Sequence, residues 1–285
     1  MNKPRTLPLS IILRLNQSLN KTILNKKFYS EVNSKILTKA STIDANLYFI
    51  CYFTLLVSSV LNNKTRIRKF LQDQRLKLVA LIEKTFGVKV SESNNKLLNK
   101  IGTKHPIVES TSNLAPYLKR ISSYLSDVRI FNRLFDTVKY MPWIIGEYEA
   151  FISKTSKVSK FTRFINLFQA FNCILLEALE NLGWLTEHNW IGTNDNNYWC
   201  IETYIWCSRV WGFYIIIEVL ELFRRTPYKN WDKAWKIELF KQVVQIPLVV
   251  HWSLYDGCLT PFWVGICGSG ASWWGFKDSW KSLDL

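Results

Sequence analysis

From Gly257 to Phe276 the chain reads GCLTPFWVGICGSGASWWGF, twenty residues without a charge. A helix of that length reaches across roughly 30 Å of hydrocarbon. Gly265, Gly268, Ala271, Ser272 and Gly275 place small residues at three- and four-residue spacing, which lets another helix backbone approach closely. Pro261 and the glycines suit a water-exposed helix poorly, yet neighbouring helices make them tolerable in lipid. Trp273 and Trp274 sit at one end, followed by Lys277, as at a membrane–water interface. The spacing predicts a membrane-embedded segment here.

Just before it lies PLVVHWSLYDG, Pro247 to Gly257, where His251 and Asp256 are the only charged or imidazole groups between Lys241 and Lys277. A hydrolase would need a serine beside a histidine and an acid, with an oxyanion pocket. On a helix, His251 and Ser253 point about 200° apart. The chain has no Gly-x-Ser-x-Gly elbow. These residues are therefore expected to satisfy interhelical hydrogen bonds or meet headgroups, and the chain is not expected to be an enzyme.

Charge divides the 285 residues unevenly. Residues 1–130 hold 22 Lys and Arg against 7 Asp and Glu, while residues 131–285 hold 15 of each, so the net +15 resides in the front part. All 13 tryptophans lie at Trp143 or beyond. A basic region serves nucleic acid or an anionic membrane surface equally well. No RNP-like, zinc-finger or KH-like pattern accompanies it, and interfacial tryptophan favours the membrane. No nucleic acid, cofactor or metal is expected. Six cysteines form no Cys-x-x-Cys and three histidines complete no ligand set, which reads as a reduced protein with buried thiols.

Along the chain, Ile11, Ile12, Leu15, Leu19 and Ile23 recur at helical spacing in an acid-free, basic stretch of 30 residues. That composition also fits a mitochondrial presequence. A mostly apolar segment runs from Ile36 to Leu61 and carries no charge from Ala45 onward, at the short limit for a span. Residues 88–116 are polar and read as a linker. Beyond it, helices are predicted at 117–141 ending at Pro142, 159–182 ending at Gly183, 198–225 ending at Pro227, and 231–257. In 198–225, a central Arg209 costs about 3 kcal/mol against about 0.3–0.6 returned per large aliphatic. Glu202 shares its face, so this helix is expected inside a bundle or along the surface. No stretch alternates with period two, and sheet content should be minor.

The segment NKTRIRKFLQDQRLKLVALIEKTFG is the strongest amphipathic candidate. At 100° per residue, Ile67, Phe70, Leu71, Leu78, Leu81 and Ile82 form one stripe, interrupted only by Gln74. Arg66, Lys77 and Lys84 line one flank, and Arg68 and Arg75 the other. Cations in that position reach lipid phosphates while the stripe enters the acyl boundary. Gly87 is the expected stop.

Three further stretches resemble the peroxin-11 family, the peroxisomal membrane-elongating proteins, in its fungal C-type branch. YLSDVRIFNRLFD (124–136) is similar to that family's Ser-Asp-Ile/Val-Arg-Ile-Phe-x-Arg-Leu stretch, through Ser126, Asp127, Arg129, Phe131 and Arg133. SRVWGFYIIIEVLEL (208–222) resembles the helix that follows it. PLVVHWSLYDG resembles its Pro-Leu-Thr-x-His-Trp-Ser-Leu-Glu-x-Gly signature through His251, Trp252 and Ser253, with Tyr255 where the family has Glu. DANLYFICYFTLLVSSVL (44–61) is a weaker match to its first region.

The resemblance implies a peroxisomal membrane protein with cytosolic termini that elongates and divides the organelle. It also implies self-association, contact with other family members, and work alongside the fission machinery. Together these readings predict an all-α protein: a helical membrane-associated bundle with an N-terminal amphipathic region and membrane-embedded C-terminal helices. The expected divisions are a basic segment at 1–35, an apolar plus a basic amphipathic helix at 36–87, the linker at 88–116, and a helical membrane domain at 117–285. The 66–84 stripe is expected to wedge into the cytosolic leaflet, against anionic phospholipid. Two other readings stay open: a small-solute channel lined by Glu202, Arg209 and His251, and a mitochondrial membrane protein with a cleaved presequence.

Overall fold

The structure is a computed structural model that describes residue 18, residues 25–86 and residues 112–284, the side chains of 75, 76 and 78–86 excepted. The helical spacing expected over 11–23, the Gly87 stop and the linker up to 111 lie outside the described residues. Within them the chain is all helix, with no strand.

The order is α1 (Lys26–Val32), which runs on through a π-helical turn (Asn33–Leu37), α2 (Ala40–Asn62), α3 (Lys64–Phe86), α4 (Leu114–Arg133), α5 (Asp136–Ile152), α6 (Lys160–Glu187), α7 (Asn196–Arg225), α8 (Lys233–Val243), α9 (Ile246–Trp252) and α10 (Pro261–Lys281). Local chemistry sets several of the starts. Asp195 accepts from the amide of Tyr198 to cap α7, and Asp232 accepts from Trp235 to cap α8, each satisfying an orphan amide of a first turn. Pro261 and Pro247 occupy the first turns of α10 and α9, where a missing N–H costs nothing.

Three expected boundaries are corrected. Pro142 does not stop a helix: the break falls at Leu134–Phe135, and Pro142 sits inside α5. Gly183 does not stop α6, which continues to Glu187. Its missing side chain makes room for an aromatic ring instead, because a Cβ there would lie 2.9 Å from the Tyr204 ring of α7. The 231–257 helix is two helices, α8 and α9, with the hitch just before Pro247, since proline has no N–H to donate to the carbonyl of Val243 and its ring crowds that carbonyl. The expected linker also ends early, as α4 already includes Pro116.

Packing centres on α2, which lies between α4 and α10 and runs antiparallel to both. Against α4, Ser58 Oγ donates to the Ala115 carbonyl at 2.7 Å, and the Cys51 thiol to that of Ser122 at 3.3 Å. Against α10, a Cβ on Gly265 would fall 2.8 Å from the Leu56 backbone, and one on Gly268 would fall 2.2 Å from the Tyr52 ring. The linker therefore separates α2 from α4 in sequence but not in space. A second antiparallel pair, α6 and α7, carries α5 along α6. The short α9 tucks between α7 and α10, where Leu248, Val264 and Cys267 form the core, flanked by Tyr52, Trp211 and Trp252.

Candidate functional site

Helix α6 turns its polar side inward. Among the described residues, fifteen buried side chains are polar or charged against fourteen that are apolar, while 46 large apolar side chains are exposed. Scattered exposed apolar residues are ordinary. These are not scattered. On α6, Phe161, Phe164, Phe168, Phe171, Leu175 and Leu182 are all exposed, and at 100° per residue they fall within one 80° sector. The side away from it buries Arg163, Gln169 and Glu177. On α7, Trp199, Trp206, Phe213, Ile216 and Leu220 make an equivalent outward stripe. On α5 it is Val138, Met141, Ile145, Tyr148 and Ile152.

Among the described residues, α2 is the one helix long and apolar enough by composition to cross a membrane, and only 22% of its most apolar stretch is buried in the fold. Its exposed face carries Ile50, Phe53 and Val60.

The inward polar groups hold the helices together. Arg129 of α4 is 5% exposed; its Nε donates to Asp44 of α2 at 3.0 Å, and its guanidinium lies 4.0 Å over the Tyr48 ring. Arg133 Nη1 reaches both carboxylate oxygens of Glu180 on α6, at 2.7 and 3.0 Å. Asp127 accepts from Trp184 Nε1 at 2.8 Å and lies 3.2 Å from His188 Nε2. Phe131 packs on Trp184 with ring centroids 5.5 Å apart, and Ser126 is half-buried. The Ser-Asp-Val-Arg stretch thus pins α4 to α2 on one side and to α6 on the other. Asp136 takes neither arginine; it pairs with Lys139.

The His-Trp-Ser stretch organises the α9–α10 turn. His251 Nδ1 accepts the amides of Cys258 at 2.8 Å and Leu259 at 3.1 Å, so the ring proton resides on Nε2. Gly257 adopts φ +64°, and a Cβ there would lie 2.1 Å from the His251 ring. Burial pushes the His251 pKa down. Trp252 stacks on Trp211 at 5.9 Å, and the Ser253 carbonyl accepts Arg209 Nη2 at 3.4 Å. Tyr255 donates its hydroxyl to Glu202. Glu202 and Arg209, which share a face on α7, are therefore both spent on one turn.

Helix α3 follows α2 after Asn63, and α2 is the helix against which its described residues pack most. Phe70 and Leu71 are 58% and 59% exposed, and Ile67 is half-buried. Arg66, Arg68, Lys69 and Lys77 are exposed, as is Gln74. The side chains of Arg75, Leu78, Leu81, Ile82 and Lys84 lie outside the described residues.

The small-residue stripe of α10 faces α2 of the same chain. Besides Gly265 and Gly268, a Cβ on Gly275 would lie 3.4 Å from Ala45, and Ala271 is half-buried between them. All six cysteines are free: Cys51, Cys207 and Cys267 are buried, whereas Cys258 is exposed.

Sequence reasoning overlooked the outward stripe of α6. The signal was present: five apolar residues from Phe161 to Leu175 at spacings of three and four, opposite Arg163, Gln169 and Glu177. Read for period alone, that face is a core face. The charge on the other side is what reverses the reading.

No family model, curated protein or solved structure matches the chain. The likeness to the peroxin-11 family therefore rests on the stretches quoted above.

Proposed function

We propose that this chain is a peroxisomal membrane protein that bends and elongates its membrane during organelle proliferation and division. The observation that carries the membrane reading is the set of outward apolar stripes on α5, α6 and α7, which on α6 lies away from the buried Arg163, Gln169 and Glu177. In water such stripes cost about 25 cal/mol for each Å² left exposed; in hydrocarbon that cost disappears. These stripes support membrane-embedded C-terminal helices packed beside the antiparallel α2–α10 pair, in which α2 is long and apolar enough to cross. The peroxisomal assignment rests on the family resemblance.

The remodelling reading is supported by α3, where the described apolar residues Phe70 and Leu71 and the cations Arg66, Arg68 and Lys77 are exposed. Inserted in one leaflet against anionic phospholipid, it expands that leaflet and favours curvature. Self-association and contact with relatives or the fission machinery must use surfaces other than the glycine stripe of α10, because α2 of the same chain occupies it.

Sidedness constrains the mechanism. Residues 31–35 and 282–284 meet at one end of the α2–α10 pair: Lys35 Nζ donates to the Ser282 carbonyl at 2.7 Å, and the Asp284 amide to Glu31 at 3.1 Å. If α2 crosses the bilayer, α3 emerges on the side opposite residues 31–35 and 282–284. A cytosolic wedge then excludes a cytosolic 282–284 segment.

Extraction of the full-length chain from membranes with alkaline carbonate tests the membrane reading. Retention in the pellet is expected. Release as a folded, detergent-independent species refutes it, and imaging against peroxisomal and mitochondrial markers decides the organelle. The channel reading gains nothing from Glu202, Arg209 and His251, each of which is held at the α9–α10 turn.

A further inference from the structure

Between the C-terminal end of α5 and the first turn of α6 lies a cavity of about 630 Å³, lined by Phe151, Lys154, Lys160, Phe161, Arg163 and Phe164 among others. Arg163 is 7% exposed. Its Nη1 caps α5 through the carbonyls of Ala150, Phe151 and Ser153 at 2.5–3.2 Å, while its Nε is buried without a hydrogen-bond partner.

The loop adds Lys157, and no Asp or Glu occurs from residue 150 to 176. Among the described residues none of these four cations is in an ion pair. The nearby Arg224 is different, being neutralised by Glu221. Helix α6 starts directly after this loop, with Ser159 Oγ capping the Thr162 amide, and a helix start favours an anion.

We infer that this cavity holds the phosphate headgroup of an anionic phospholipid, its acyl chains lying along the Phe161–Leu175 stripe. Four uncompensated cations and one buried, unpartnered guanidinium nitrogen call for a phosphate. The phenylalanine walls, continuous with the outward stripe of α6, call for hydrocarbon attached to it. This rests on the membrane reading but not on α3, which lies on a different helix.

The test uses the full-length chain in phosphatidylcholine nanodiscs carrying a photoactivatable phosphatidic acid, with labelled peptides then mapped. Label within 151–168 is expected. It should fall in a Lys154→Gln, Lys157→Gln, Lys160→Gln variant by about 100-fold, at about fivefold per lysine, while label on α3 is unchanged. These lysines make no described contact that holds the fold; an unaltered helical spectrum verifies that the variant folds.

Absence of label from this segment, or label indifferent to the three substitutions, overturns the inference. So does full displacement by inorganic phosphate at matched concentration, which would identify a free anion as the ligand. A chain that needs no nanodisc to stay folded and dispersed sinks the membrane reading itself, an outcome distinct from failure of the site alone.

Discussion

Arg129 of α4 and Asp44 of α2, 85 positions apart, meet at 3.0 Å in a place where the arginine is almost wholly shielded. The pair closes the α2–α4 contact at one end, as Ser58 and Ala115 do at the other. Asp44 keeps a third of its side chain exposed, so removing it leaves the shielded arginine uncompensated at less than the cost in a fully buried pair, about 3–5 kcal/mol. Asp44→Asn should therefore lower the thermal midpoint of the detergent-solubilised protein. A combined Asp44→Leu, Arg129→Met exchange should recover most of the loss, because apolar replacement of a whole buried pair is often neutral. Equal loss in the single and combined variants would count against this account of the contact.

His251 gives the fold a defined acid limit. Its Nδ1 serves two backbone amides only while unprotonated. Burial depresses the folded pKa below the ordinary value near 6.5. The contribution is therefore complete above about pH 6.5 and is lost as pH falls through the lowered folded value. Stability followed by denaturant melts should decline over that acid window in the wild type, and less steeply in His251→Asn. A wild-type curve parallel to the variant's would remove histidine from the turn's energetics. Gly257→Ala should destabilise at every pH, since it combines positive φ with a Cβ inside the ring.

Much of this architecture was open to sequence reasoning where period and composition agree, as in α2, α3 and α7. Boundaries failed where packing overrode a local rule. Gly183 reads as a stop until Tyr204 arrives from another helix, and Pro142 is tolerated well inside α5. The partners of Arg129 and Arg133 were not readable, because Asp44 and Glu180 lie far off in sequence and on different helices. The spacing around Gly265 correctly anticipated close backbone approach, yet spacing carries no information on whether the partner is the same chain or another.

That partner is α2, and the contact is tight enough to test. A Cβ on Gly268 would lie 2.2 Å from the Tyr52 ring, and one on Gly265 would lie 2.8 Å from backbone. Gly265→Ala cannot be relieved by a side-chain rotation, so it should cost about 1–3 kcal/mol in overpacking. Gly268→Ala paired with Tyr52→Leu should cost less than Gly268→Ala alone. Thermal unfolding in detergent reads both, and additivity of the paired changes would mean that the two residues do not touch.

The antiparallel α2–α10 pair fixes which parts of the chain share a side. At 1.5 Å per residue the 23 residues of α2 extend about 34 Å, enough to cross. Tags placed next to residues 31–35 and 282–284 should respond identically to protease added to intact organelles, and a tag at residue 100 oppositely. If all three respond alike, α2 does not cross, and a cytosolic 282–284 segment becomes compatible with a cytosolic wedge.

The wedge is the last and most direct test. Phe70 and Leu71 are exposed on a helix flanked by Arg66, Arg68 and Lys77, and they make few described contacts with the fold. Replacing both with Glu removes apolar insertion area, worth about 1.5–3 kcal/mol for each large side chain, and adds repulsion from anionic headgroups. Reconstituted wild-type protein should deform phosphatidylcholine liposomes doped with an anionic phospholipid; the Phe70→Glu, Leu71→Glu variant should insert normally through its other helices yet leave the liposomes round. Reversing the exposed cations Arg66 and Arg68 to Glu should abolish the dependence on anionic lipid. Liposome deformation by the double-glutamate variant at wild-type level would show that curvature comes from the bundle rather than from α3.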